Sequence, residues 1–353
     1  MYDIAVIGAG PAGATFARLA ADGKRKIVLI DGQTESRKKP CGGLLAPDAQ
    51  KVLAHFDLVL PKDVLADPQI FSVKTIDLCT RQVRYYPRCY LNMDRYAFDK
   101  WLLSLVPEDV KVLSGRCIKM ERQEGGFVIC VSTGQTIQEI QCREIAGADG
   151  AGSLVRKTFF PEKKMMQYAS IQQWFRHEGK TTPFYSCIFD PKTSESCSWL
   201  IYKDEYVIYG GCFAPKHCRQ GFEEQKKRVC SFFGQDFGAP VKTEACLANR
   251  PKKYGDFETG ANGVYLIGEA AGFISASSFE GISSAIHSAS LLAEAFLEYG
   301  GGKETAERYR RKAVPLKLKL YLKTKKRWFM YTPWVRKLIM KSGLDSIQVQ
   351  QES

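Results

Sequence analysis

Asp3-Ile4-Ala5-Val6-Ile7-Gly8-Ala9-Gly10-Pro11-Ala12-Gly13-Ala14-Thr15-Phe16-Ala17-Arg18-Leu19-Ala20 is the stretch on which the reading of this sequence turns. A short apolar run of strand length empties into three spaced glycines and then into a helix-like segment of small and apolar residues. That order suits a dinucleotide phosphate. Gly8 permits a tight turn, Gly10 lets backbone approach a pyrophosphate, Gly13 lets the helix lie close on the strand, and the amides at the helix start face the phosphates. A second strand, Lys26-Ile27-Val28-Leu29-Ile30, ends at Asp31, where a carboxylate can accept the ribose hydroxyls of an adenosine. Glycine-rich turns are common, but strand, glycines, helix, strand and terminal acid in register are specific. Because the motif starts at residue 3, no targeting segment is expected ahead of it.

A chain of 353 residues predicts more than one core, and 45% apolar with 25% charged residues is ordinary globular material. No run approaches the roughly 18 to 20 apolar residues of a membrane span. Twelve cysteines show no CxxC and no metal-ligand grouping with the four histidines, so a reducing, cytoplasmic setting without a bound metal is expected. The net charge of +13 is concentrated at one end: from Lys303 onward there are fourteen Lys or Arg against four Asp or Glu. Basicity therefore belongs to the tail, and nucleic-acid binding by the whole protein is not expected.

After Asp31 a polar, basic loop leads to Lys39-Pro40-Cys41-Gly42-Gly43, a stiff turn where backbone can approach a ligand, and residues 48–56 read as a helix. Strand-like runs between 61 and 90 suggest that the chain leaves the first domain and returns near Arg95, at a helix start. Residues 110–113, 118–122, 126–132 and 136–140 read as a small antiparallel layer. Another strand then enters the turn Gly147-Ala148-Asp149-Gly150, with Ser153 opening a helix. Four aromatic strands between 168 and 212, with a helix at 221–233, predict an antiparallel substrate sheet bearing Trp174, Tyr185 and Trp199. The chain re-enters the first domain at Gly268-Glu269-Ala270-Ala271-Gly272, followed by a long helix from Gly281. His287 on that helix is read as core.

Together, the N-terminal glycine turn with Asp31, the Arg95 helix start, 147–150 and 268–272 resemble the FAD-dependent oxidoreductases built like p-hydroxybenzoate hydroxylase, and within them the geranylgeranyl reductase family. The family motifs cover about residues 2–289. The resemblance implies an α/β fold: a Rossmann-like FAD-binding domain of p-hydroxybenzoate hydroxylase type, an antiparallel β-sheet substrate domain, and a C-terminal helical tail. The expected boundaries are 1–60, 92–165 and 250–300 for the FAD-binding domain, 61–91 and 166–249 for the substrate domain, and 301–353 for a basic, aromatic tail. It further implies that Gly8, Gly10, Pro11, Ala12 and Gly13 hold the pyrophosphate of FAD, Asp31 the ribose, and Arg95 the phosphate or ribityl side. Asp149 would lie beside the pyrophosphate. Glu269 stands where the family usually has an Asp for the ribityl chain, while Gly268, Gly272, Gly281 and Ile282 approach the flavin. Cys41, Gly42 and Gly43 are expected over the flavin, with Cys41 either a catalytic gate or a small buried residue. Taken singly, Trp174, Tyr185 and Trp199 read as sheet core, but several aromatics on one sheet suit contact with an apolar substrate.

Hydroxylases of this architecture usually carry a His just after the aspartate turn and one or two prolines shortly beyond it; here those places hold Gly272 and then Ser275-Ala276, and the following Phe279-Glu280-Gly281-Ile282 resembles the reductase form. The expected activity is reduction of carbon-carbon double bonds in a prenyl or other apolar substrate. A flavin monooxygenase is the alternative, and a flavin-bearing sensor or interaction protein the second. The electron donor is expected to be NAD(P)H or a reduced ferredoxin-like protein. Leu316, Leu318, Leu320, Tyr321 and Leu322 interleave with lysines, and Trp328, Phe329, Tyr331 and Trp334 follow. Residues 303–341 are therefore expected to meet an anionic membrane surface, making the protein peripheral on the inner face of the membrane, the alternative being an ordinary basic helix packed back on the FAD domain with its charges in water.

Overall fold

The computed structural model describes residues 1–32, 39–179 and 181–349, with the backbone alone at 326. The loop expected after Asp31 falls, from 33 to 38, outside the described residues. Two compact units emerge: Met1–Lys38, Phe98–Met166 and Asn249–Thr324 form the first, and Lys39–Ala97, Gln167–Ala248 and Lys325–Ser353 the second. These differ from the expected boundaries. Residues 39–60 and 92–97 belong with the second unit, because the short strand Leu44–Leu45 pairs with Gln82–Asn92. The tail divides at 324 instead of forming its own body.

In the first unit a parallel sheet runs in the order Val264–Leu266, Ile137–Gly147, Tyr2–Ile7, Ile27–Asp31, Lys111–Ser114, its inner strands apolar and buried on both faces and Lys111–Ser114 largely exposed. Ile7 stands opposite both Ile30 and Gly147, and Gly147 opposite Leu266. The carboxyl ends are thus level, and the three glycine turns leave the sheet along one edge, around the strand where sequence order reverses. Two expectations change. Lys111–Ser114 is a parallel strand of the main sheet, so the antiparallel layer is Arg116–Gln123, Gly126–Ser132 and the first half of Ile137–Gly147. That last strand runs unbroken for 11 residues, joining layer and sheet.

Helix Pro11–Ala20 packs on Ile282–Tyr299, with Phe16 edge-on to Phe296 at 5.9 Å. His287 is exposed, contrary to the core reading: it shares a stripe with Leu291, Glu294 and Glu298, at helical spacing, that turns away from the packed face. The helices Gly302–Lys312 and Val314–Tyr331 continue the unit as far as 324. Tyr309, Leu316 and Leu320 are buried in its core, and the Tyr309 hydroxyl donates to the Leu266 carbonyl at 2.9 Å.

The second unit is an eight-stranded sheet ordered Lys242–Asn249, Gln167–Arg176, Tyr206–Phe213, Cys197–Lys203, Phe184–Phe189, Ile70–Asp77, Gln82–Asn92, Leu44–Leu45. It is antiparallel except where Phe184–Phe189 runs parallel to Ile70–Asp77. Helix Cys218–Phe233 covers one face, burying Phe222 and Val229 against Phe175, Ile188, Tyr209 and Phe213. The row Gln172, Gly210, Trp199, Cys187 lies across the opposite face. By the two-residue alternation of strands, Trp174 and Tyr185 share that face.

Candidate cofactor and substrate sites

The first glycine turn is built by exclusion. Gly8 has φ +104°, and a Cβ there would stand 2.7 Å from the Ala148 carbonyl oxygen and 3.1 Å from the Asp149 Cα, so the second glycine turn lies directly against it. A Cβ at Gly13 would collide with the Gly8 carbonyl oxygen. Gly10 differs: its φ is −72°, and an added Cβ would meet no protein atom within 4 Å. Gly10 caps the helix without a capping side chain, Pro11 occupies the first turn, and the first helical bond runs from Ala14 N to Gly10 O at 3.0 Å. The amides of Ala12 and Gly13 therefore lie ahead of that bond and point to the open side. Open space beside oriented amides and a helix dipole fits a pyrophosphate.

Asp31 ends its strand with its carboxylate on Lys100 Nζ at 2.9 Å. Lys100 was invisible to motif reading, since it comes from another helix 69 residues away. The Asp149 carboxylate turns inward: it accepts from Ser153 Oγ at 2.6 Å and from the amides of Leu154 and Val155 at 2.6 and 3.1 Å. Burial pushes its pKa up against those hydrogen bonds. Its backbone adjoins Gly8, and its side chain holds the first amides of helix Leu154–Phe159. Glu269 is likewise engaged, its Oε1 accepting from Asn249 N at 2.9 Å.

The third turn closes on the first. A Cβ at Gly268 would approach the Ala12 Cβ to 2.9 Å, and one at Gly272 would meet Met165 Cε at 2.8 Å. Gly268 N donates to the buried Ser288 hydroxyl at 2.9 Å. Arg156, also buried and unforeseen, ties the region by donating to the carbonyls of Ala270 at 3.0 Å and Asp256 at 2.9 Å. Gly281 caps Ile282–Tyr299 with no side-chain bond, so Gly268, Gly272, Gly281 and Ile282 all stand within the same unit as the pyrophosphate turn.

In the second unit the turn at 40–43 is held by side chains. Lys203 is 3% exposed. Its ammonium donates to Asn92 Oδ1 at 2.8 Å, Met93 O at 2.5 Å and Gly43 O at 3.4 Å. Three neutral acceptors satisfy its three donors, while burial lowers its pKa to about 8. Gly43, at φ +67°, has no room for a Cβ between Met93 O and Lys203. A Cβ at Gly42 would reach within 3.8 Å of the Trp199 indole nitrogen, and Gln172 Nε2 donates to the Cys41 carbonyl at 3.4 Å. Cys41, half-buried, is thus grouped with Gln172 and Trp199. Arg95 belongs to this unit, one residue beyond Asp94, whose amide bonds Val64 O at 2.9 Å.

The three aromatics part company. Trp199 lies over Gly210, whose missing side chain makes the space, and its buried indole N–H carries no hydrogen bond. Trp174 donates to Glu244 at 2.8 Å, as does Gln172. Burial pushes the Glu244 carboxyl up, and the bonds from Lys242, Gln172 and Trp174 outweigh it to leave its pKa low. Tyr185 packs edge-on to Tyr90 at 5.6 Å within an apolar cluster that includes Tyr331. Its place is that of a packing residue.

The chain is 44% identical over 351 residues to Protein CbrA of Escherichia coli O6:H1, a match that spans 98% of this chain and 94% of the relative. The chain belongs to the CbrA family. No family model matches it. Among solved structures, this CbrA-family fold superposes on a geranylgeranyl bacteriochlorophyll reductase-like protein of Thermoplasma acidophilum with TM-score 0.81 and 17% identity, covering 99% of this chain and 92% of the other. PqsL of Pseudomonas aeruginosa, described as a probable FAD-dependent monooxygenase, follows at TM-score 0.71 and 14% identity, covering 98% and 99%. The CbrA-family chain therefore has the fold of these flavoproteins, as its three glycine turns required. Among its described residues, no His, Cys, Asp and Glu cluster could hold a metal ion, and no helix is long and apolar enough to cross a membrane.

Proposed function

We propose that this CbrA-family protein is an FAD-dependent oxidoreductase that reduces carbon-carbon double bonds of a prenyl or other apolar substrate. Bound FAD would supply a hydride; the chain's own residues bind, orient and exclude water. Gly8, Gly10 and Gly13, with the amides of Ala12 and Gly13, would hold the pyrophosphate. Asp31, paired with Lys100, would take the ribose, while Glu269, Gly272, Gly281 and Ile282 would border the flavin. Arg95 and the turn 40–43 are assigned to the same cofactor by family resemblance, with Cys41 as a gate or proton source. Trp199 is the favoured substrate contact.

One observation carries the choice of reduction. Where hydroxylases of this architecture carry a His and prolines, this chain has Gly272 and then Ser275-Ala276: Phe273, Ile274, Ser275 and Ala276 are all buried, Phe273 stacks on Phe257 at 6.1 Å, and the Ser275 hydroxyl accepts from that of Ser278 at 3.0 Å. No acid or base follows until Glu280. A wall of this kind suits hydride transfer to an apolar alkene better than proton delivery during oxygen chemistry.

The test is anaerobic photoreduction of the purified protein, addition of a prenyl lipid, then air. Slow reoxidation with a saturated product is expected. A hydroxylated product would assign the protein to the monooxygenases, and indifference to every lipid to the sensor reading. Titration of the oxidised protein with NAD(P)H and with reduced ferredoxin identifies the donor.

A further inference from the structure

The expected membrane surface at 303–341 divides sharply. Leu316, Leu320 and Lys317 are buried in the first unit, with Lys317 Nζ on Thr259 Oγ1 at 3.4 Å, so this stretch is a packed helix. Beyond 324 the pattern reverses. Trp328, Phe329, Trp334 and Leu338 are 56, 52, 62 and 60% exposed. Trp328 touches Phe329 at 5.0 Å and Trp334 at 6.3 Å, so the rings form one ridge.

The ridge stands on a rigid mount. Arg336, on the inner side of helix Pro333–Ser342, is buried and places Nε 2.8 Å from Asp77 Oδ2, with its second nitrogen donating to Met330 O at 2.9 Å. Cys197 N donates to the Tyr331 hydroxyl at 3.1 Å. Arg84 bonds the Ile339 carbonyl at 3.0 Å and Ser346 at 2.7 Å. With the inner side fixed, Trp334, Lys337, Leu338 and Lys341 recur at helical spacing on the outer side, all exposed. From 325 to 349 there are six Lys or Arg and one acid, Asp345, and Arg336 is neutralised internally by Asp77.

We propose that this ridge is a docking surface for an anionic lipid bilayer, on which the second unit rests by the outer side of its C-terminal helices. Indole rings and leucine enter the headgroup boundary, and the lysines beside them meet anionic headgroups. Excess positive charge around exposed indoles favours a bilayer over an acidic protein, whose surface would not take up three adjacent rings and a leucine without an apolar groove to receive them. An apolar substrate dissolved in the bilayer would then be close to the unit that bears Trp199.

The test is flotation of the full, cofactor-loaded chain with vesicles of phosphatidylcholine alone or containing phosphatidylglycerol, at low and high salt. Wild type is expected to float with the anionic vesicles at low salt and to be released by high salt. Trp334→Ser with Leu338→Ser, and separately Lys337→Glu with Lys341→Glu, should each reduce binding about tenfold or more, with circular dichroism and bound flavin unchanged. These side chains are exposed, so the variants are expected to fold. No flotation by wild type, equal flotation with both vesicles, or wild-type binding by both variants would overturn the proposal. Turnover is not read, so failure here leaves the reductase reading untouched.

Discussion

Two glycine turns, one in each unit, use the same residue for different physics. The turn at 8–13 is a backbone object: Gly8 and Gly13 are required by neighbouring backbone, Gly10 opens onto empty space, and the nearby carboxylates of Asp149 and Glu269 are taken up by local amides. The turn at 40–43 is a side-chain object, fixed by Lys203 and Gln172, beside a buried indole N–H that lacks a partner. A site made of backbone is written in a few adjacent residues. A site made of side chains depends on which distant strands happen to be neighbours.

The largest effect should come from setting Gly13 against Gly10. Gly13→Ala drives a Cβ into the Gly8 carbonyl oxygen, with the Ala148 Cβ at 3.2 Å behind it, so neither can yield without moving the sheet edge. Overpacking of this kind costs about 3 kcal/mol or more, and denaturant unfolding should show it. At Gly10 an added Cβ meets no protein atom within 4 Å, at an ordinary φ of −72°, so Gly10→Val should cost no more than the roughly 1 kcal/mol of a poorer N-cap residue. It should nevertheless weaken flavin binding about 100-fold or more, by displacing charged hydrogen bonds to phosphate. Full flavin occupancy in Gly10→Val would sink the assignment of this turn.

Next comes Lys203, where the second turn can be broken from a distance. Burial lowers its pKa from 10.5 to about 8, so between those values the unfolded chain binds more protons than the native one. Stability contributed by this group therefore rises with pH across that window, and below about 8 the buried charge is carried at full cost. The difference in unfolding free energy between wild type and Lys203→Met should move by about 3 kcal/mol in favour of wild type as pH rises through the window. Comparing the two proteins cancels the buried Cys117 and Cys142, whose pKa values burial raises to about 12. Parallel pH profiles would mean that Lys203 is not a buried ammonium.

These contrasts explain what was legible. Strand, glycines, helix and Asp31 declare themselves in thirty residues, and the family motifs at 147–150 and 268–272 fall into the same unit because parallel strands bring their carboxyl ends level. Lys203, Arg156 and the Arg336–Asp77 pair were not legible, because their partners lie 110, 114 and 259 residues away. His287 misled because one polar residue among small ones does not reveal which stripe of a helix faces water. The Asp149 backbone lies against Gly8, while its carboxylate points to the helix start. Asp149→Asn should accordingly lower stability by about 1 kcal/mol, as the loss of an N-cap does, and leave flavin content unchanged. Flavin loss at unchanged stability would instead make this carboxylate a ligand.

The smallest effect, and the one that separates backbone from side chain most finely, is expected at Cys41. Its carbonyl is held by Gln172 at 3.4 Å, and its sulfur accepts the Gly43 amide at 3.4 Å. A serine hydroxyl can accept the same amide, so Cys41→Ser preserves the turn, and stability should change by less than about 0.5 kcal/mol. Flavin should remain bound, because no part of the pyrophosphate turn is touched. If the thiol gates or protonates at the flavin, turnover of the apolar substrate should fall several-fold while binding stays level. Unchanged turnover would leave a turn whose value lies in Gly42, Gly43 and the backbone they let pass. Even the second site would then owe its chemistry to main chain, with Lys203 and Gln172 serving only to hold it in place.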